Sequence, residues 1–131
     1  MRQGLSGLEI GGKALVLVTE PDFDLYRARR VRRLAVDFQE MPGSSPSLVL
    51  ALEYESDKAR YLLELRFDGI RQLAFGEMTP GLFLGELEIE DVRGRQLEGI
   101  HFEVTARFEN SFVCSCRDIS ILGFSPLPSP Q

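Results

Sequence analysis

The chain has one histidine, two cysteines and no long apolar run. Each shortage closes off a class of chemistry. Any catalytic histidine has to be His101. The cysteines, Cys114 and Cys116, are separated by a single residue, whereas the recognised zinc patterns need two more widely spaced pairs. On one strand face their side chains run parallel, at the edge of disulfide geometry, so free thiols and a reducing, cytoplasmic compartment are expected. No apolar stretch approaches the ~20 residues of a membrane helix, and Ala14 to Val18 is too short for a signal peptide. The glycines between residues 4 and 12 contain no G-x-x-x-x-G-K phosphate loop, and no internal repeat is visible. No cofactor and no metal is expected.

What is present describes one soluble β domain, residues 1–131, with a loose glycine-rich entry over 1–13 and a proline-rich tail over 125–131. A chain of this length can bury roughly two-thirds of its unfolded surface without a disulfide or a metal. The net charge is −5, which argues against nucleic acid as the main partner.

The stretch Ile100 to Ile121 is the most strongly patterned. Ile100, Phe102, Val104, Ala106 and Phe108 alternate with polar residues, and Phe112, Cys114 and Cys116 share one face beyond Glu109-Asn110-Ser111. This predicts a hairpin with a three-residue loop, pairing Phe108 with Phe112, Ala106 with Cys114 and Val104 with Cys116. Continued strictly, that register would bury Asp118. A β-bulge near Arg117-Asp118 is therefore predicted, setting Ile119 against Phe102 and Ile121 against Ile100.

Elsewhere, Ala14 to Thr19 reads as a strand covered on both faces, with a short strand at Leu8–Ile10 before it. Asp22 to Arg29 fits a helical turn or two and irregular coil equally well. Strands are expected at Leu34–Phe38, Leu48–Tyr54, Tyr61–Phe67, Ile70–Phe75 and Phe83–Ile89, with turns at Met41–Pro46, Ser56–Lys58, Asp68-Gly69 and Thr79–Gly81. Arg93–Arg95 reads as a loop. Ser125 to Pro130 is unsuited to a central strand. About eight strands with at most one short helix predict an all-β fold, an antiparallel β-sandwich or a curved half-barrel.

Four groups invite a functional reading. His101, two residues before Glu103, has the makings of a general base, although an exposed sheet histidine accounts for it better. Cys114 and Cys116 fit core thiols. Glu86, Glu88, Glu90 and Asp91 form an acidic row that suits a solvated or edge-protecting face, or docking on arginines in this chain or a second copy. Arg27, Arg29, Arg30, Arg32 and Arg33 form the densest charge cluster. They fit a patch for an acidic protein partner or a phosphate backbone, and equally a solvated segment balancing the acidic faces. No aromatic residue interleaves them as a nucleic-acid groove requires.

Three pieces in the second half stand in a recognisable order: Leu65-Arg-Phe-Asp-Gly-Ile70, Leu87-Glu-Ile-Glu-Asp-Val92, and Phe112-Val-Cys-Ser-Cys116 running into Ile119-Ser-Ile121. Together they resemble small bacterial all-β proteins of uncharacterised or immunity-protein type, found near polymorphic toxins. The resemblance implies a non-catalytic, protein-binding role and transfers no catalytic residue. The expectation is a macromolecule-binding domain whose partner is a protein, including a second copy as a homodimer, with no nucleic acid and no membrane. The five arginines are the expected contact region. A ligand- or carbohydrate-binding barrel is the alternative, and a hydrolase built on His101 ranks last.

Overall fold

A computed structural model describes residues 4–5, 7–38, 43, 45–75, 86–95, 98–106 and 112–128. Among these residues, eight strands form two four-stranded antiparallel sheets, joined face to face by one apolar core, and a single short α-helix lies near the N-terminus. The sandwich reading holds.

The first sheet has the order β1-β2-β3-β8, from Ala28–Asp37, Ser47–Glu55, Arg60–Asp68 and Asp118–Pro126. The second has the order β4-β7-β6-β5, from Gln72–Phe75, Phe112–Cys116, Phe102–Ala106 and Leu87–Asp91. Strand β2 shows why the sequence folds this way. Its alternation sends Leu48, Leu50, Leu52 and Tyr54 inward, all buried, while Ser47, Val49, Ala51 and Glu53 take the outer face. Leu63, Leu65 and Phe67 of β3 lie beside them, and Phe102, Val104, Phe112 and Cys114 face them from the second sheet. Phe67 and Phe112 meet across the interface with ring centroids 6.4 Å apart. Each such side chain contributes about 1.5–3 kcal/mol by leaving water.

Two chain crossings join the sheets and lie side by side. The first runs through Asp68, Gly69 and Ile70. The second runs through Arg117, whose N–H donates to the Asp68 carbonyl at 3.0 Å. Gly69, at φ +66°, stands where a Cβ would come within 2.9 Å of the Arg117 Cβ, so only glycine fits the crossing.

This geometry revises the predicted bulge. The chain does break its pattern at Arg117-Asp118, but it breaks by leaving the second sheet for the first. Ile119 pairs with Phe67 and Ile121 with Leu65, not with Phe102 and Ile100. A sheet change keeps Asp118 in water as well as a bulge would, and the sequence pattern cannot separate the two. The β6–β7 register is also corrected: Val104 pairs with Cys114 and Phe102 with Cys116, two residues from the expected pairing. A two-residue slip leaves every side chain on its predicted face. The expected turns at Glu109–Ser111 and Thr79–Gly81, half of the Met41–Pro46 loop, and the Phe83 end of β5 lie outside the described residues.

The N-terminal third differs most. Lys13–Leu17 is the helix α1, not a strand, and only Val16 of it is buried, while Leu15 and Val18 stay exposed. A five-residue apolar run has too few positions to set one period against the other. Leu8–Ile10 forms no strand, but Leu5, Leu8 and Ile10 are buried in the core, and Gly11 adds a single parallel bridge to Ser120. Gly12 then takes φ 79°, with Ile121 directly beneath it. The ambiguous segment holds one 3-10 turn, Leu25–Arg27, its N-terminus capped by Asp24 through a 3.1 Å bond from the Tyr26 N–H. Strand β1 starts at Ala28, six residues earlier than Leu34, so arginines expected on a helix or coil stand on an edge strand. Arg93–Arg95 forms a 3-10 turn, and Ser125 and Pro126 end β8 at a sheet edge, where proline is tolerated.

Candidate functional site

The five arginines divide into two groups. Arg27 and Arg29 belong to the end of the sandwich. Arg27 donates to Asp57 at 3.1 Å and to the Glu55 carbonyl at 3.3 Å; Arg29 donates to the Tyr26 carbonyl at 2.8 Å. Arg30, Arg32 and Arg33 border the outer face of the first sheet. Two irregularities in the β1–β2 ladder, between Ala28 and Arg30 and between Val31 and Arg33, produce this division. Each inserts one residue, so Val31 and Leu34 still reach the core while Arg32 joins Arg30 on the outer side.

The cross-strand registers define that outer face. One row reads Arg30, Glu53, Leu62, Ser125; the next reads Arg33, Ala51, Glu64, Gly123; the next reads Ala35, Val49, Arg66, Ser120. The two middle strands mix apolar Val49, Ala51 and Leu62 with charged Glu53, Glu64 and Arg66, and Arg30 and Arg33 line the β1 edge.

At the centre of the cationic edge sits Glu53, only 6% exposed. Arg32 donates to it at 2.6 Å, Arg60 of β3 lies at 3.0 Å, and Arg30 stands at 3.8 Å without a hydrogen bond. Burial is the largest single influence on the Glu53 carboxyl and pushes its pKa up. The hydrogen bonds from Arg32 and Arg60, with the charges of Arg60 and Arg30, outweigh that and hold it below the usual carboxylate value. The Arg60 Nε is buried with no hydrogen-bond partner, and Arg33 makes no ion pair with another described residue.

Sequence reasoning found the arginines but missed Glu53 and Arg60. The signal was available. Both residues stand on the polar faces of confidently patterned strands, and the β2–β3 hairpin pairs Arg60 with Glu55, one diagonal step from Glu53.

The other candidates are placed as follows. His101 is half-buried beside the start of β6, its N–H donating to the Cys116 carbonyl and its carbonyl accepting from Val92. Cys114 and Cys116 are buried and unbridged. The hydrogen bond between them, followed by burial, raises the Cys116 pKa well above that of a free thiol. In the acidic row, Asp91 pairs with Arg93 and Glu90 with Arg95, which also lies 3.7 Å from Glu103, while Glu88 accepts from the Tyr26 hydroxyl. Arg93 also reaches Glu9 at 2.6 Å.

Two adjoining open clefts, of about 600 and 490 Å³, lie at the Arg27 end of the sandwich. Asp24, Arg27, Ser56 and Asp57 line both, Tyr54 and Tyr61 the first, Arg29 and Glu86 the second. His101 lines neither, and their walls are mainly polar and charged, unlike the concave apolar cavity a ligand-binding barrel requires.

Compared with known proteins, residues 24–121 match the family described as Immunity protein PIM8. The match extends well beyond the three C-terminal pieces that carry the resemblance and includes the whole arginine stretch. No curated protein and no solved structure matches.

Proposed function

Because the chain belongs to the Immunity protein PIM8 family, we propose that it protects a bacterial cell by binding a toxin protein in the cytoplasm, without catalysis of its own. The observation that carries this reading is the extent of the match, which runs from the turn before β1 into β8 and so includes both sheets and the cationic edge. The outer face of the first sheet supports it physically: a platform on four paired strands offers a rigid surface whose shape does not have to be reordered on docking. His101 lines neither cleft, which supports a non-catalytic mode of action. The arginine stretch is the contact region, centred on the outer-face arginines. A toxin suits this edge better than a second copy of the chain does, because two register shifts interrupt the regular ladder that strand-to-strand pairing would need.

The test is co-expression in a susceptible bacterium with the toxin encoded beside this gene. Wild-type protein restores growth and co-purifies with the toxin. Unrelieved toxicity at full expression of the folded protein would refute the reading.

A further inference from the structure

We infer that the partner presents an acidic segment to the β1 edge of the outer face, its carboxylates seated on Arg30, Arg32, Arg33 and Arg60; this rests on the protein-binding reading above. The argument is a surplus of donors. Each guanidinium offers about five N–H groups, while a carboxylate offers about four acceptor sites. Among the described residues, Glu53 is the one carboxylate within ion-pair reach of Arg30 and Arg32, and only Glu53 and the exposed Glu55 reach Arg60. Arg30 contacts Glu53 by charge alone, and Arg33 makes no ion pair with another described residue.

These groups are also accessible. The Arg30 and Arg32 side chains are 48% and 50% exposed; Glu53 accepts a hydrogen bond from Arg32 and attracts Arg30 by charge, which leaves most of their N–H groups to solvent. Glu53 therefore acts as an internal anchor that fixes the guanidinium groups before a partner arrives. This lowers the entropy cost of placing long side chains at an interface. Arginine forks recognise planar carboxylates with two parallel bonds, which adds geometry to charge.

The same face discriminates against a nucleic-acid backbone. Glu55 and Glu64 share it, and the chain is acidic overall, so an evenly spaced polyphosphate would meet like charge within a strand spacing or two. Discrete carboxylates on a protein segment can be set between them.

A fluorescein-labelled hexaglutamate peptide serves as probe, with a single-stranded oligothymidine of equal charge as the competing class. Wild-type protein binds the peptide in a salt-dependent manner and more tightly than the oligonucleotide. Arg33→Glu, which removes no ion pair and leaves the Glu53 cluster whole, weakens peptide binding about fivefold, and Arg30→Gln about threefold, while Arg117→Gln on the far side of the sheet has no effect. Equal binding by wild type and Arg33→Glu, equal losses at Arg30 and Arg117, or tighter binding of the oligonucleotide would each overturn the inference. The growth assay separates the two levels. Rescue by wild type and equally by Arg33→Glu overturns this face alone, whereas failure of the wild type overturns the immunity reading.

Discussion

Replacing Glu53 by alanine removes the anion on which three arginines converge, and the cost can be worked out contact by contact. Arg32 lies 2.6 Å from Glu53 but is half exposed, so it can turn to water, and its loss costs about 0.5–1 kcal/mol. Arg60 is only 25% exposed and already has a buried Nε without a partner, so stripping it of Glu53 leaves it poorly solvated, at about 1.5–2 kcal/mol. Arg30, at 3.8 Å without a hydrogen bond, adds little. Glu53→Ala should therefore destabilise the protein by about 2–3 kcal/mol, well short of the ~3–5 kcal/mol for breaking a fully buried pair. With a urea m-value near 2 kcal/mol per molar, that lowers the unfolding midpoint by about 1–1.5 M. A double-mutant cycle with Arg60→Ala should return a coupling of about 1–1.5 kcal/mol, larger than the cycle with Arg30→Ala. A Glu53→Ala protein within 0.5 kcal/mol of wild type, or equal couplings at Arg30 and Arg60, would refute this account of the cluster.

Three further outcomes follow from the same structure. The Glu53 carboxyl is held below its ordinary value, so its contribution is complete above the unfolded-state pKa and is lost as pH falls through the folded one; the stability gap between wild type and Glu53→Gln in urea should narrow steadily between about pH 5 and pH 3, and a constant gap would contradict it. Both thiols should resist Ellman's reagent in the native protein and react only at the rate of unfolding, because both are buried and the Cys116 pKa is raised; prompt native labelling would place them elsewhere. Gly12→Ala should cost more than about 2 kcal/mol, because the new Cβ would fall 2.3 Å from the Ile121 carbonyl oxygen as well as requiring a left-handed backbone, whereas Gly43→Ala, with nothing within 4 Å, should cost only the ~1 kcal/mol of the backbone; equal midpoint shifts would show that α1 gives way easily.

The sandwich was legible because its strands alternate over many residues. From Leu48 to Tyr54 and from Tyr61 to Phe67 the polar and apolar positions report the two faces; burial alternates with them in β3, whereas β2 is covered on both faces, Ala51 and Glu53 included. What alternation cannot carry is which strand lies beside which. The pairing of Phe102 with Cys116 and the departure of Ile119 to the other sheet obey the same parity as the pairings they replaced. Short apolar runs such as Ala14 to Val18 carry too little periodicity to choose a helix over a strand. At the site, sequence showed the density of arginines on residues 27–33 but not their division, which depends on two inserted residues in one edge strand. Glu53 was hidden for a related reason: its role depends on Arg60, which becomes its neighbour only when the hairpin closes.

The late return of β8 to the first sheet sets a timetable for synthesis. Strands β1 to β3 are consecutive and can pair as they leave the ribosome, but the strand that completes their sheet pairs Asp118 with Asp68, after the whole second sheet has been made. During that interval the outer edge of β3 is bare, with Leu63, Leu65 and Phe67 beside it awaiting cover. A nascent or truncated chain ending before Asp118 would thus expose a sticky, unpaired strand.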